Sequence, residues 1–417
     1  MKTDILYMRL FCIHKILYRI VALTMAVVLI SATFKNNIII QAQEGEIKDF
    51  PFSLYAESAV LIDGETGRVI CGKNSDNRQP NASTTKILTC IIALESCDLN
   101  DKVVISDYAA SMPEVNMDVK SGEEYRLGDL LYAMMLESYN DVAVAVAEHV
   151  AGGTEKFADM MMDKVRQLGL VNTHFVTANG LDATNDGGFH GTSAYDLAQI
   201  MRYCISYSDS REDFLAITGT GTHSFTDLSK KRSFTVNNHN NLLKLSHDVL
   251  SGKTGFTCDA GYCYVGAFER DGHRYVFSLL NSGYPPDKNH KWEDSLKIIK
   301  YVEDNMHTVH FEKNINIYDI DIGSGMDEEG ETVSSMYEEV YITCDLNMTD
   351  DEKIKYKVVL YSDLKAPIKR GQRLGCVIVY IGNSEVYRQD ITSTRNVYER
   401  NYGNIFDIIY ELSLIHI

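Results

Sequence analysis

Ser83 and Lys86 stand at the head of an apolar stretch, Ser138 and Asn140 flank Tyr139 further on, and Lys253-Thr254-Gly255 follows later in the chain. Those residue types, in that order, can supply a nucleophile, an amine base, a proton relay and a carboxylate anchor, the equipment of an acyl-serine hydrolase that works without histidine. Each motif alone is weak, because Ser-x-x-Lys arises by chance in 417 residues and Lys-Thr-Gly also spells an ordinary turn. On a helix beginning at Ser83, positions i and i+3 share a face, so the Lys86 amine lies beside the Ser83 hydroxyl. Burial by Ile87, Leu88 and sheet residues lets such an amine lose its proton near neutral pH and act as base. The helix N-terminus also favours negative charge developing at Ser83.

Ser138 can pass a proton to a leaving amine, and Asn140 can hold a substrate amide. Lys253 and Thr254 suit a terminal carboxylate, and Gly255 lets a substrate backbone come close. The N–H groups of Ser83 and Phe256 are the candidates for an oxyanion hole. Plainer readings stand beside these: a helix cap at Ser83 with Lys86 reaching solvent, an N-cap at Asn140, a surface turn at Lys253 to Gly255. Ser75-Asp76-Asn77 repeats the middle pattern ahead of Ser83 and reads as a loop turn.

The elements that would position these groups are legible in outline. Residues 59–72 read as a hairpin turning at Gly64 to Gly67, and the apolar run after Ser83 reads as a helix through the middle of a domain. Further helices are expected over 127–136, 141–151, 154–168 and 192–207, with Thr154 and Thr192 as N-caps. Strands are expected at 222–225, 233–236, 261–268 and 273–280, joining the first hairpin in one antiparallel sheet, with a closing helix over 292–305. Helices gathered on such a sheet make an α+β architecture. From about residue 308 short strands at 340–344, 355–361 and 375–380 indicate a separate small β domain.

With 45% hydrophobic and 24% charged residues the chain has ample material for a core, and a formal charge of −18 repels nucleic acid. Lys2, Arg9, Lys15 and Arg19 precede an apolar run from Ile20 to Phe34, with a small-residue cleavage point at Ala42. That pattern reads as a secretory signal, or an uncleaved anchor, and places the rest of the chain outside the cytoplasm. The expected division is a signal or anchor over 1–42, a catalytic domain over 48–307, a small β domain over 308–400 and a tail over 401–417. The closing Leu412 to Ile417 reads as the translation of a ligated transposon end, so the native C-terminus, with any membrane-anchoring segment, is expected to be missing. The nine cysteines lack CxxC pairs and support neither zinc nor a disulfide framework; Cys258 and Cys263 are the one pair placed to bridge.

Residues 79–86, 135–143, 177–182 and 251–257, with Ala260-Gly261-Tyr262, resemble in order the low-molecular-mass penicillin-binding proteins, the serine-type D-alanyl-D-alanine carboxypeptidases. The resemblance spans roughly residues 56–307, and the later β segment, notably 366–371, is similar to that family's C-terminal domain. It implies a β-lactamase/transpeptidase-like domain, an antiparallel sheet flanked by helices, followed by a small all-β domain. It further implies removal of the terminal D-alanine from peptidoglycan stem pentapeptides through an acyl enzyme on Ser83, and inhibition by β-lactams. Carried onto this chain, Lys86 is base, Ser138 relay, Asn140 substrate-holding, and Lys253 with Thr254 carboxylate-binding, with no metal or cofactor. The partners it implies are stem peptides, with a membrane surface reachable through either terminus.

Two positions depart from the family pattern. Tyr139 replaces the usual Gly and narrows the cleft, and His239 stands where many relatives carry an Arg, which makes carboxylate binding weaker or pH-dependent. Two other functions use similar parts. A class A β-lactamase needs a water-activating carboxylate, and residues 174–185 hold no Glu-x-x-x-Asn pattern. A β-lactam sensor or wall-binding module could be acylated without turning over peptide.

Overall fold

The computed structural model describes residues 47–113 and 115–399, so the basic and apolar N-terminal segment and the tail from residue 400 lie outside the described residues. Strands β1 (Ser58–Asp63) and β2 (Val69–Lys73) form the first hairpin. Gly67 takes the left-handed φ of +77° that its turn requires, and the Asp63 carboxylate accepts the N–H groups of Glu65 and Thr66. A 3-10 turn, Ala82–Thr85, then leads into helix α1 (Lys86–Ser96). Every residue from Lys86 to Leu94 is buried, as expected of a helix apolar on all sides. Helices α2 (Leu127–Glu137) and α3 (Asn140–Ala151) pack around it, joined by Thr154–Gln167, Ala194–Arg202 and Arg211–Gly219.

The chain returns to the sheet through β3 (Val249–Thr257), β4 (Gly261–Arg270) and β5 (His273–Leu280). The order is β2-β1-β5-β4-β3 and every pairing is antiparallel, which leaves β3 at one edge and β2 at the other. Alternation sorts the side chains onto two faces. Val60, Ile62, Val265 and Ala267 join the core around α1, whereas Ala59, Leu61, Tyr264 and Phe277 pack with Trp292 and Tyr301 of the helix His290–Asn305. Each fully buried Ile, Leu or Phe in these layers contributes about 1.5–3 kcal/mol relative to exposure.

A third core, with Ile320, Ile322, Ile342, Val377, Val379 and Ile391, lies wholly in the C-terminal part. It is built from a long hairpin, His307–Met326 with Thr332–Met348, and a three-stranded sheet of Ile354–Leu360, Arg373–Ile381 and Ser384–Thr392. Arg68 ties it to the first part through Glu352 and the Asn347 carbonyl, and Asn347 donates to the Tyr275 hydroxyl at 2.6 Å. No helix among the described residues is long and apolar enough to cross a membrane.

Several local expectations are corrected. Strands Thr222–Thr226 and Ser233–Asn237 pair only with each other, because each buries a single residue, Phe225 or Val236, too little for a strand inside a two-faced sheet. Their rings pack on Tyr125 instead. Thr154 is the first helical residue after Gly153, not a cap, and the helix expected from Thr192 is capped by the Ser193 hydroxyl and ends in a π turn at Tyr203–Tyr207. Cys258 is exposed and Cys263 buried, and neither is bridged.

Candidate active site

Ser83 sits in the 3-10 turn, whose tightness comes from side chains bonding back to the backbone. Asn81 Nδ2 donates to the hydroxyls of Thr84 and Thr85, and those hydroxyls donate to the carbonyls of Asn81 and Ala82. Ala82 takes φ +49°, an unfavourable region for a residue with a Cβ, and it persists because two glycines pack against the turn. A Cβ at Gly180 would lie 2.1 Å from the Ala82 carbonyl oxygen, and one at Gly255 would lie 2.9 Å from the Asn81 carbonyl oxygen and 3.0 Å from the Ser83 nitrogen.

The Lys86 amine, with its residue fully buried, lies 2.8 Å from Ser83 Oγ, 3.0 Å from Asn140 Oδ1 and 2.6 Å from the Asn179 carbonyl oxygen. Protonated, this amine donates to all three oxygens; in the neutral form that a base requires it has two N–H donors and one lone pair. The Asn140 and Asn179 oxygens take the two donors, and the lone pair is left for the Ser83 O–H. Burial holds this amine well below the usual lysine range, the Lys253 charge pushes the same way, and Asp141 opposes them. The Asp141 carboxylate is itself occupied by the N–H groups of Met117, Val119 and Val142.

Ser138 ends α2 at φ +68°, and that left-handed turn separates α2 from α3. Its hydroxyl lies 3.0 Å from Lys253 Nζ. Lys253 is buried on edge strand β3, and burial lowers its amine to about 7. The structure thus joins Ser83, Lys86 and Asn140 in one hydrogen-bonded group and Ser138 with Lys253 in a second. Thr254 follows half-buried, Gly255 abuts the Ser83 turn, and the exposed Phe256 ring rests on Tyr262 at 4.7 Å. Among the described residues no carboxylate is hydrogen-bonded to Ser83, Lys86 or Ser138. Tyr139 caps α3, and Ser75-Asp76-Asn77 lies in a turn closed by the Asn77 N–H on Asn74. His239 is exposed and its Nε2 lies 2.7 Å from Glu137 Oε2, a neighbour not considered from sequence.

Two contributors have no role assigned from sequence, although Asn179 lies in the 177–182 stretch that carries the family resemblance. Asn179 acts through a backbone carbonyl, which leaves no side-chain signal. Buried His190 has Nδ1 accepting from Val176 N–H at 2.9 Å, which places its proton on Nε2, 2.9 Å from the Thr85 hydroxyl. Burial lowers its pKa to about 3. His190 therefore stays neutral and ties the 176–180 segment to the Ser83 turn.

A family model described as D-alanyl-D-alanine carboxypeptidase matches residues 44–283, and one described as penicillin-binding protein 5, C-terminal domain, matches residues 327–399. The D-alanyl-D-alanine carboxypeptidase DacF of Bacillus subtilis is 30% identical over 329 residues, 78% of this chain and 81% of the relative. DacD of Escherichia coli, another D-alanyl-D-alanine carboxypeptidase, is 28% identical over 385 residues, 86% of this chain and 92% of the relative. The crystal structure of penicillin binding protein 5 from Haemophilus influenzae superposes with a TM-score of 0.64 at 25% identity, covering 84% of this chain and 99% of that one. The fold, the two matched segments and the serine–lysine site converge, and the chain belongs to the D-alanyl-D-alanine carboxypeptidase family of serine peptidases.

Proposed function

We propose that this chain removes the terminal D-alanine from peptidoglycan stem pentapeptides by acyl transfer to Ser83. Ser83 Oγ attacks the carbonyl carbon of the penultimate residue while its proton passes to the neutral Lys86 amine. The oxygen of the tetrahedral intermediate is stabilised by the N–H groups of Ser83 and Phe256. Collapse breaks the C–N bond, Ser138 delivers its hydroxyl proton to the departing nitrogen and is restored by the proton that Lys86 took from Ser83, so that free D-alanine leaves and Lys86 is neutral again. Water then hydrolyses the Ser83 ester, and the shortened stem is released. Lys253, with Thr254, binds the terminal carboxylate of the substrate, and Asn140 holds the acyl-side amide.

The observation that carries this reading is the fully buried Lys86 amine 2.8 Å from Ser83 Oγ, with its other two partners both acceptors. A β-lactam enters the same path as a mimic of the terminal dipeptide, and because its ring opens without releasing a fragment, the leaving nitrogen stays tethered beside the Ser83 ester and hinders the entry of water. The catalytic unit extends to about residue 307 and the small β domain follows it, a division supported by the separate third core. Action outside the cytoplasm follows from the signal-like N-terminal sequence. Labelling with a fluorescent penicillin, together with D-alanine release from a pentapeptide, tests the reading. Wild type is expected to show both and Ser83→Ala neither; labelling without release would favour a sensor.

A further inference from the structure

We propose that Cys97, Asp101 and His149 form a three-ligand site for a zinc ion, with water in the fourth position. One donor atom from each, thiol sulfur, carboxylate oxygen and imidazole nitrogen, lies within 4.8 Å of the other two. All three residues are half-buried. His149 Nε2 and Asp101 Oδ2 are 3.6 Å apart, longer than a hydrogen bond, whose limit is about 3.2 Å. In a tetrahedral zinc site with bonds of about 2.0–2.3 Å, neighbouring donor atoms sit about 3.3–3.8 Å apart. The imidazole and carboxylate already have that spacing, and the thiol sulfur, within 4.8 Å of each, reaches it by closing up to about 1–1.7 Å. Thiolate, imidazole and carboxylate together suit zinc rather than calcium or magnesium, which take oxygen donors.

The donors come from elements that are fixed independently of a ligand. Cys97 is the C-cap of α1, its N–H bonded to the Ala93 carbonyl at 3.1 Å. Asp101 lies in a turn held by its own N–H on Asp98 and by the Leu127 N–H on its carbonyl. His149 occupies the last turn of α3. The three positions have no common sequence spacing, which is why cysteine pairing rules point away from zinc in this chain. Binding displaces the Cys97 thiol proton to solvent as the Zn–S bond forms.

The site would join the C-terminal ends of α1 and α3. Their opposite ends carry Lys86 and Asn140, whose Nζ and Oδ1 are 3.0 Å apart. A bound ion therefore stabilises the helix pair that sets the base beside its acceptor, and by linkage it raises the melting temperature. This inference is independent of the peptidase reading and can fail without it.

The test uses the purified, reduced full chain, stripped with a chelator, titrated with cobalt(II) and then with zinc against a chromophoric chelator. One equivalent of metal, a thiolate-to-cobalt charge-transfer absorption and a higher melting temperature with zinc are expected. Cys97→Ser should remove the absorption, and Asp101→Asn and His149→Gln should each weaken zinc binding at least about tenfold. Fluorescent penicillin labelling reports folding of each variant. Absence of the cobalt absorption in the wild type overturns the proposal without any variant, as does uptake unchanged in folded Cys97→Ser and His149→Gln.

Discussion

The backbone carbonyl of Asn179 accepts a hydrogen bond from Lys86 Nζ at 2.6 Å across a separation of 93 residues. That contact, with the one to Asn140, occupies both donors of a neutral amine and directs its remaining lone pair to Ser83. Lys86→Arg retains donors for both oxygens but has no lone pair to offer near neutral pH. Acylation by penicillin is expected to fall by about 10²–10⁴-fold in Lys86→Arg as in Lys86→Ala, with the melting curve of the arginine variant used to exclude unfolding.

Lys253 should impose an alkaline limit on substrate binding. Its amine is lowered to about 7 by burial, so in the free enzyme the charge that attracts a carboxylate is present below that pH and lost above it. KM for a pentapeptide is expected to rise about tenfold per unit once pH passes about 8. Lys253→Arg keeps its charge, so its KM should stay flat over that range. An equal alkaline rise in both proteins would count against Lys253 as the anchor.

Gly255→Ala tests the approach of β3 to the nucleophile. The added Cβ would press on the Asn81 carbonyl and the Ser83 nitrogen, both backbone atoms that cannot rotate away. A displacement of about 1 Å here is expected to slow acylation on the order of 10²-fold. Circular dichroism should remain that of the wild type, because β3 is an edge strand and can shift outward.

His190 makes stability depend on acid. Unfolded, an imidazole binds a proton below about 6.5; folded, this one does not until about 3. Between those values the unfolded state holds more protons, so stability declines as pH falls, by up to about 1.4 kcal/mol per unit. His190→Gln should flatten that slope and, by leaving the Val176 and Thr177 N–H groups poorly satisfied, cost about 1–3 kcal/mol near neutral pH. Chemical denaturation at several pH values measures both effects.

Hairpin β1–β2 and strands β4 and β5 were legible as short apolar runs bounded by turn residues, and the helices near 127–137, 140–151 and 154–167 as longer apolar segments, the last two stopping at Gly152 and Gly169. The helix Arg211–Gly219 was not, since its buried residues are only Phe214, Ile217 and Thr218. The long strand His307–Met326 has an apolar inner face, Val309, Phe311, Ile315, Ile317, Ile320 and Ile322, but register shifts after Ile317 and Asp321 break its two-residue period and disguise it as separate short runs. At the site, residues that act through side chains announced themselves by type and spacing, whereas Asn179 acts through its carbonyl. From sequence, His239 reads as a substitute for a cation that binds carboxylate. Its partner Glu137 is adjacent to Ser138 in sequence yet 102 positions from His239, and such a pairing has no local pattern.

Two of the links from the C-terminal part, Arg68 with Glu352 and Tyr275 with Asn347, fall just before β2 and on β5, while Lys253 lies on the edge strand at the far side of the sheet from β2. A tug on the C-terminal hairpin is therefore borne by the rear of the platform, two or more strands removed from the reacting groups.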